Sequence, residues 1–363
     1  MNQQLIDLTN VIREKFKGNQ HRPVPEDLTT QLTNNIDPES VVGLADAGCV
    51  IALTLIARGH NPSKINVIED SPDKCYNEFS KSMSKRFGFN LNDNDMKFDR
   101  SIGNPPYDNG MYCDFMKIAS DCLIEGGEFD LLLPSYTFTR KKSMKACRDN
   151  VRLTSVDLTV GEHFKNVING TWVARFRGTI GQTGNDEFDL TMTDGQTIKT
   201  RLSDINPTTQ KFIKPNGMTS VDYSVVRKVL NGSINFESHK DTPITNKSFC
   251  YLRPTLKYVS QPHPAAGSFN LHGVCNEWTP DVKNGWYIQT ESDDISESVF
   301  KIYTESKLFN FVNWLMVSDF PMVGKDYISS LPDVTGLTYK NESDLYEQFG
   351  LTREEIDRVE SIL

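Results

Sequence analysis

Asn104-Pro105-Pro106-Tyr107 is the stretch whose residue types and order could do chemistry. The amino group of a base or an amide is a poor nucleophile, because its lone pair is delocalised. To methylate such a nitrogen, a site must accept both N–H bonds and draw the nitrogen toward tetrahedral geometry. The Asn104 side-chain oxygen is one acceptor, and the Pro105 carbonyl can be the second. Pro105 and Pro106 stiffen the loop and remove backbone donors that would compete. Tyr107 offers a flat face on which a base can stack, worth roughly 1–3 kcal/mol. No general base is needed to start the reaction, since the proton can leave after transfer. Taken alone, the same four residues also suit an extended turn after a strand.

Their surroundings favour the chemical reading. Phe98–Gly103 reads as a strand, so the tetrapeptide follows a strand's carboxyl end, where open α/β folds bind ligands. From Val41 onward strand-like and helix-like segments alternate. Ser40–Ala45, Ile65–Glu69, Phe129–Leu133, Ser155–Val160 and Thr171–Ile180 read as strands. Val50–Arg58, Ser71–Lys85, Asp114–Ile124 and a basic segment, Lys141–Asn150, read as helices. This grammar predicts an α/β fold, a mostly parallel sheet with helices on both faces. After about Gly184 it changes. Phe188–Met192 and Thr197–Leu202 flank an Asp194-Gly195 hairpin turn, and a Pro-, Asn- and Gly-rich stretch follows. Ser296–Val317 and Ser343–Leu363 close the chain as helical stretches, the latter with a capping-box pattern at Thr352–Glu355. The expected boundary lies near 183, giving a catalytic domain over 1–183 and a mixed α+β target-recognition region with terminal helices over 184–363.

On these residues the sequence resembles the gamma-class N6-adenine DNA methyltransferases of restriction-modification systems. The resemblance covers about residues 20–182. It implies a class I methyltransferase, Rossmann-like, that takes its methyl group from S-adenosylmethionine. Arg22-Pro23-Val24-Pro25-Glu26, with the Leu28–Ile36 helix, resembles the segment upstream of the first strand that helps hold the cofactor's methionine end; Val24 stands where Thr is usual. Asp46-Ala47-Gly48-Cys49 resembles the cofactor loop. Ile68-Glu69-Asp70 resembles the acidic end of the second strand, whose carboxylate accepts the ribose hydroxyls; the register favours Glu69, with Asp70 beside it. Asp95 sits where an acid meets the cofactor's adenine, with Asp93 as a rival and a plain polar loop as the other reading. Asn104 serves the cofactor and substrate sides together. Gly161–Phe176 resembles the segment whose aromatic, here Phe164, packs on the flipped base opposite Tyr107; packing in the core before a strand is its structural alternative. His163 reads as a surface residue. One departure stands out: where the family loop carries Gly-x-Gly, this chain has Val50-Ile51-Ala52, and Val50 adds a branched side chain.

The formal net charge of -9 argues against a general nucleic-acid coat. Charge is uneven, however. Arg140, Lys141, Lys142, Lys145, Arg148 and Arg152 form a basic cluster after the strand ending at Pro134, and Arg253 and Lys257 lie in an aromatic stretch, Phe249–Tyr258. These suit phosphate contacts, while a solvated helix face is the plain alternative for the first group. The expected partners are therefore double-stranded DNA, whose target base must be flipped out, and a cognate restriction endonuclease. Seven Cys with no CxxC pair and no secretory signal suggest reduced thiols in the cytoplasm. The longest apolar run, Cys49–Ala57, is far short of the roughly 18 residues of a membrane span. Scattered His residues give no metal-ligand spacing. Two other readings stay open: methylation of RNA adenine or a protein glutamine, and a non-catalytic DNA- or protein-binding module on a decayed methyltransferase fold.

Overall fold

The computed structural model describes residues 2–16, 23–68, 74–92, 95–107, 110–138, 151–164, 173–181, 187–201, 218–230, 237–238, 249–256, 269–275, 286–316, 331–337 and 339–362. The chain divides into two compact units, Met1–Asp204 and Ile205–Leu363. The division falls after the Asp-Gly hairpin and not at the expected 183, because the hairpin's first strand pairs with the main sheet.

The first unit is built on a nine-stranded sheet in the order β3-β2-β1-β4-β5-β7-β6-β8-β9. Its strands are β1 (Val42–Ala45), β2 (Ile65–Val67), β3 (Asn90–Leu91), β4 (Phe98–Gly103), β5 (Leu123–Pro134), β6 (Val151–Asp157), β7 (Val173–Ile180), β8 (Glu187–Thr191) and β9 (Thr197–Arg201). β3, β2, β1, β4 and β5 run parallel, whereas β7 is antiparallel to both its neighbours, β5 and β6. Among the described residues, helices α1 (Gln3–Lys15), α2 (Glu26–Thr33), α3 (Val50–Ala57), α4 (Lys74–Phe87) and α5 (Met111–Cys122) accompany it.

The core explains the order of these elements. Seven of the eight α3 residues are buried, so the helix is apolar all round and needs cover on every side. It packs against α1 and α2, and its residues share one apolar cluster with Val42, Leu44 and Ile65 of the sheet. α1 was not among the expected helices. Its signal is nonetheless present: Leu5, Thr9, Ile12 and Phe16 recur at helical spacing and are all buried, and Asn2 caps the helix by accepting from the Gln4 amide. Leu5, Ile12, Leu28, Val42, Leu44, Val50, Ile65, Ile102, Leu132 and Phe164 belong to one apolar cluster.

An ion pair inside the sheet anchors α2. Arg175 of β7 donates to Asp130 of β5 from Nε at 2.7 Å and from Nη2 at 2.6 Å. The same guanidinium reaches the Gln31 carbonyl and side chain in α2, each at 3.3 Å. Arg175 is 6% exposed, so this is a desolvated, charge-assisted fork and not a surface pair.

The second unit holds a four-stranded antiparallel sheet in the order β10-β13-β11-β12, formed by β10 (Glu237–Ser238), β11 (Phe249–Leu256), β12 (Phe269–Cys275) and β13 (Trp286–Gln289). Among the described residues five helices accompany it: α6 (Ser220–Val229), α7 (Asp293–Glu305), α8 (Lys307–Met316), α9 (Glu342–Gln348) and α10 (Arg353–Ile362). The single helix expected over 296–317 is two, broken at Ser306. The Glu342 carboxylate accepts from the Lys307 and Leu308 amides and so supports a new helix start there.

Two buried carboxylates lock α6 to α10. Asp222 caps α6 and receives the Arg358 fork at 2.7 and 3.1 Å. Glu355 forms the expected capping box with Thr352 and also accepts from Ser224 Oγ and Lys228 Nζ, both at 2.7 Å. Burial alone would raise the Glu355 carboxyl; bonds from Lys228, Ser224 and the Thr352 amide outweigh it and hold it below the ordinary range. A depressed folded-state pKa contributes stability that is present above the unfolded value and is lost as pH falls through the folded one. Glu355→Ala should therefore cost the second unit about 2–3 kcal/mol at pH 7, because the partly buried Lys228 loses its carboxylate and keeps only the Gly350 carbonyl. Urea unfolding at pH 7 and below pH 4 checks this: the gap between wild type and variant should shrink in acid.

Candidate functional site

Three strand ends meet at one edge of the sheet. Ala45 pairs with Gly103, Leu44 with Val67, and the Ile68 amide donates to the Leu44 carbonyl at 2.8 Å. The carboxyl ends of β1, β2 and β4 are therefore level, and each turn that leaves them starts from the same line.

The turn after β1 is built around Asp46, which is 3% exposed. Its Oδ2 accepts from the Ala52 amide at 2.8 Å, in the first turn of α3, where a negative charge is favourable. Gly48 (φ 76) and Cys49 (φ 59) are both left-handed. The positions that need that conformation are thus 48 and 49 and not 50 and 52, where the sequence comparison sought glycine. Val50 is an ordinary helical residue (φ -71), and Val50, Ile51 and Ala52 are fully buried. Val50 is spent on the core. A Cβ on Gly48 would meet Ile12, Pro23 and Phe16 at 3.1, 3.4 and 3.7 Å, so α1 and the upstream segment lie against this turn.

The upstream segment is held by Arg13, a residue the sequence reading did not single out. Arg13 Nε donates to the Val24 carbonyl at 3.0 Å, and Nη2 to Thr29 Oγ1 at 3.1 Å. Thr29 in turn bonds the Pro25 carbonyl at 2.8 Å, and Pro25 caps α2. Val24 itself is buried, so its side chain packs while its backbone accepts. Burial lowers the Arg13 pKa, and the charges of Glu26, Asp46 and Asp27 oppose that. One guanidinium therefore sits within the field of both the upstream segment and the Asp46 turn.

Asn104 continues the ladder, its amide donating to the Ala45 carbonyl at 2.8 Å. Pro105 is buried, while Asn104, Pro106 and Tyr107 are half-buried. The Tyr107 hydroxyl donates to Asn104 Oδ1 at 2.5 Å and lies 3.1 Å from the Leu132 carbonyl of β5. Its ring meets Tyr112 edge-on, with centroids 6.5 Å apart, and borders the apolar cluster that contains Phe164. Phe164 is 3% exposed, which is the core placement weighed as its alternative. His163 Nδ1 lies 3.1 Å from Asp27 Oδ2, tying this turn to α2. Asp95 is exposed.

Two further groups at this edge were missed. Ser135 and Thr137 directly follow β5, are fully buried, and have side-chain oxygens without a hydrogen-bond partner. Small hydroxyl residues straight after a strand-ending proline, Pro134, were the available signal. Glu69, Asp70, Asp93, Arg140, Lys141, Lys142, Lys145, Arg148 and Lys257 lie outside the described residues, as does the expected basic helix. Ala47 and Arg253 are described for backbone alone; Arg253 lies in β11 and pairs with Asn270. Among the described residues no helix is long and apolar enough to cross a membrane.

The parallel strands of the first unit, ordered 3-2-1-4-5-7-6 with β7 reversed, define a Rossmann-like fold of the class I methyltransferase type. The sequence matches no family model and no curated protein. Among solved structures, similarity is found to an Agrobacterium tumefaciens protein described as a predicted O-methyltransferase, at 16% identity and TM-score 0.32, over 45% of this chain and 83% of that one. It is also found to the type IIG restriction endonuclease BpuSI, at 14% identity and TM-score 0.41, over 55% of this chain and 34% of that one. A chain of a type I restriction-modification system is similar at 15% identity and TM-score 0.37, over 51% of this chain and 47% of that one. The chain thus spans about a third of BpuSI and under half of the type I chain.

Proposed function

We propose that this protein is an S-adenosylmethionine-dependent methyltransferase that modifies the N6 amino group of an adenine flipped out of double-stranded DNA. The observation that carries the reading is the place of Asn104-Pro105-Pro106-Tyr107, at the carboxyl end of β4 and level with the turn after β1. A methyl donor bound by one turn would then lie beside an amino group held by the other, which is what a direct transfer requires. S-adenosylmethionine, when bound, supplies an electrophilic methyl group on a sulfonium. The residues present suit it: the left-handed turn at 48–49, the Asp46 carboxylate, and the Arg13-braced segment at Pro25 converge on that edge. Glu69 and Asp70 would take the ribose hydroxyls and Asp95 the cofactor's adenine. Asn104 and the Pro105 carbonyl would accept the two N–H bonds of the target, Tyr107 would stack on it, and Phe164 would close the opposite side. Arg140, Lys141, Lys142, Lys145, Arg253 and Lys257 would carry the phosphates, so binding should weaken steeply with salt.

The test is methyl transfer from labelled S-adenosylmethionine to unmethylated duplex DNA, RNA and protein in parallel, with the modified DNA read by single-molecule sequencing. Label on N6 of adenine in a fixed DNA sequence context is expected. Label confined to RNA or protein would replace the substrate. One observation favours a second reading, a non-catalytic binding module: α1 and Pro23 already pack against the turn at Gly48. Calorimetry with S-adenosylmethionine separates the two. Binding in the micromolar range is expected, and no heat at millimolar cofactor would select the second reading.

A further inference from the structure

The face of the main sheet against which α2 packs carries more cations than carboxylates. Arg100 of β4, Glu128 and Asp130 of β5, Arg177 and Thr179 of β7 and Thr154 of β6 line a cavity of about 200 Å³, with Leu32 of α2 at its wall. Arg152 of β6 pairs directly with Thr179, so its side chain lies on the same face. The charges on this face do not balance. Arg100 is matched by Glu128 at 2.8 Å. Asp130 cannot serve Arg177 alone, because the same Oδ2 takes Arg175 Nη2 at 2.6 Å and lies 3.5 Å from Arg177 Nε. Arg152 Nε is buried and has no hydrogen-bond partner. The next carboxylates are engaged elsewhere: Asp157 accepts from the Thr159 amide and hydroxyl, and Glu187 and Asp189 pair with Arg201 and Lys199. Among the described residues, the guanidiniums of Arg100, Arg152, Arg175 and Arg177 thus share Glu128 and Asp130, a surplus of two positive charges.

We propose that this cavity is an oxyanion site that takes the phosphoryl group of a small molecule, free phosphate or a phosphate monoester, between Arg152 and Arg177. The two are diagonal neighbours across the β6–β7 ladder, roughly 7–8 Å apart at Cα and so within reach of long side chains. Without an anion they repel each other, and a buried guanidinium donor goes unused, which is unfavourable. Thr154 and Thr179 line the same cavity and bring hydroxyls, so donors approach from several directions. A tetrahedral dianion can accept from all of them and cancels both surplus charges. A planar carboxylate would fill one guanidinium fork and cancel one charge. The sheet forms the floor and Leu32 bounds the side, which suits the end of a ligand and not a nucleic-acid strand passing through. The site is separate from the edge assigned to methyl transfer and does not depend on that assignment: Arg100 precedes Asn104 by four residues, about 13 Å along β4.

Calorimetry with inorganic phosphate tests this on the full chain, at low chloride and at about pH 8, where phosphate is a dianion. One phosphate per chain is expected, with Kd below about 1 mM, and sulfate should compete where acetate does not. Arg152→Gln and Arg177→Gln should each weaken binding about tenfold or more. The Arg177 side chain is 47% exposed, so its variant keeps the fold and carries the test even if Arg152→Gln does not fold. Lys117→Gln removes an equal charge from α5, where Lys117 pairs with Asp121 in the same helix, and should leave the affinity unchanged. No saturable heat in the unaltered protein overturns the proposal. So does an affinity unchanged in Arg177→Gln, or one lost equally in Lys117→Gln, which would mark general attraction by charge. Two competitors settle the source of the phosphoryl group. Displacement of phosphate by adenosine 5′-monophosphate identifies a monoester site, and its absence a site for free phosphate, both within the proposal. Displacement by duplex DNA without terminal phosphates overturns it in favour of a nucleic-acid contact.

Discussion

Asn104→Ala is expected to abolish methyl transfer, lowering kcat by about 10³-fold, while S-adenosylmethionine affinity stays within about threefold. The size follows from what the side chain does. A polar group fixed toward a charge that develops in the transition state is worth two to three orders of magnitude in kcat. On the proposed function the developing charge would be positive, on the nitrogen receiving the methyl group, and the Asn104 oxygen would accept from its N–H. Cofactor affinity is spared because the backbone of residue 104 is held independently of the side chain, by its amide bond to the Ala45 carbonyl. The fold is spared for the same reason, and because Asn104 is only half-buried. Single-turnover transfer and cofactor titration, run on one preparation, check both halves. Retained adenine methylation in the variant would remove Asn104 from the chemistry and with it the assignment of this edge.

Gly103→Ala is expected to be the most damaging small substitution near the site, costing about 4 kcal/mol or more of stability. A Cβ there would stand 2.1 Å from the Ala45 carbonyl oxygen and 2.7 Å from its carbon and nitrogen, all of them backbone atoms. No rotamer relieves such a clash, so β1 and β4 would have to part. The backbone at Gly103 is also at φ 148, where a side chain is strained even in open space. Costs of this size are exceptional for a single methyl group and arise when a named contact is forced. The two strands carry the Asp46 turn and Asn104–Tyr107, the proposed cofactor and amino sites, so S-adenosylmethionine affinity should fall together with the urea midpoint. A variant with unchanged midpoint would mean that the strand ends can shift without loss, and that their level arrangement is not what holds the site together.

The part of the fold set by local pattern was readable from the residues. β4 was delimited as it stands, because an apolar-flanked strand ends at Gly103 and the following prolines cannot continue it. The buried α3 and the Asp-Gly hairpin were found for the same kind of reason. What failed depended on tertiary contacts. Asp114–Ile124 read as a helix and Phe129–Leu133 as the strand after it, yet β5 begins at Leu123 and pairs with β4. Ser306 looked like an interior helix residue, and only Glu342, far along the chain, reveals the break. The proposed site motifs follow β1 and β4 as their order in the sequence implied, since strand ends are local. The left-handed pair Gly48 and Cys49 could not be read, because it depends on α1 packing against the turn and on Asp46 drawing in the α3 amide. Arg13 escaped for a related reason: its partners lie on two other segments and its residue type alone says nothing.

The reversed strand β7 has a consequence for how the protein is made. It follows β6 in the chain but lies between β5 and β6 in the sheet. A nascent chain that ends before Val173 therefore carries β6 with no native neighbour to receive it. It also leaves β5 as an open edge parallel to β6, the wrong partner in a workable direction. The Arg175 fork that joins Asp130 to Gln31 is missing at that stage too, so α2 is not yet pinned. Non-local pairing of this kind is slow because loop closure precedes its reward. Synthesis thus passes through an interval in which the Asp46 turn already has its residues while the sheet beside it is still exposed to other chains, and that interval closes only when β7 inserts.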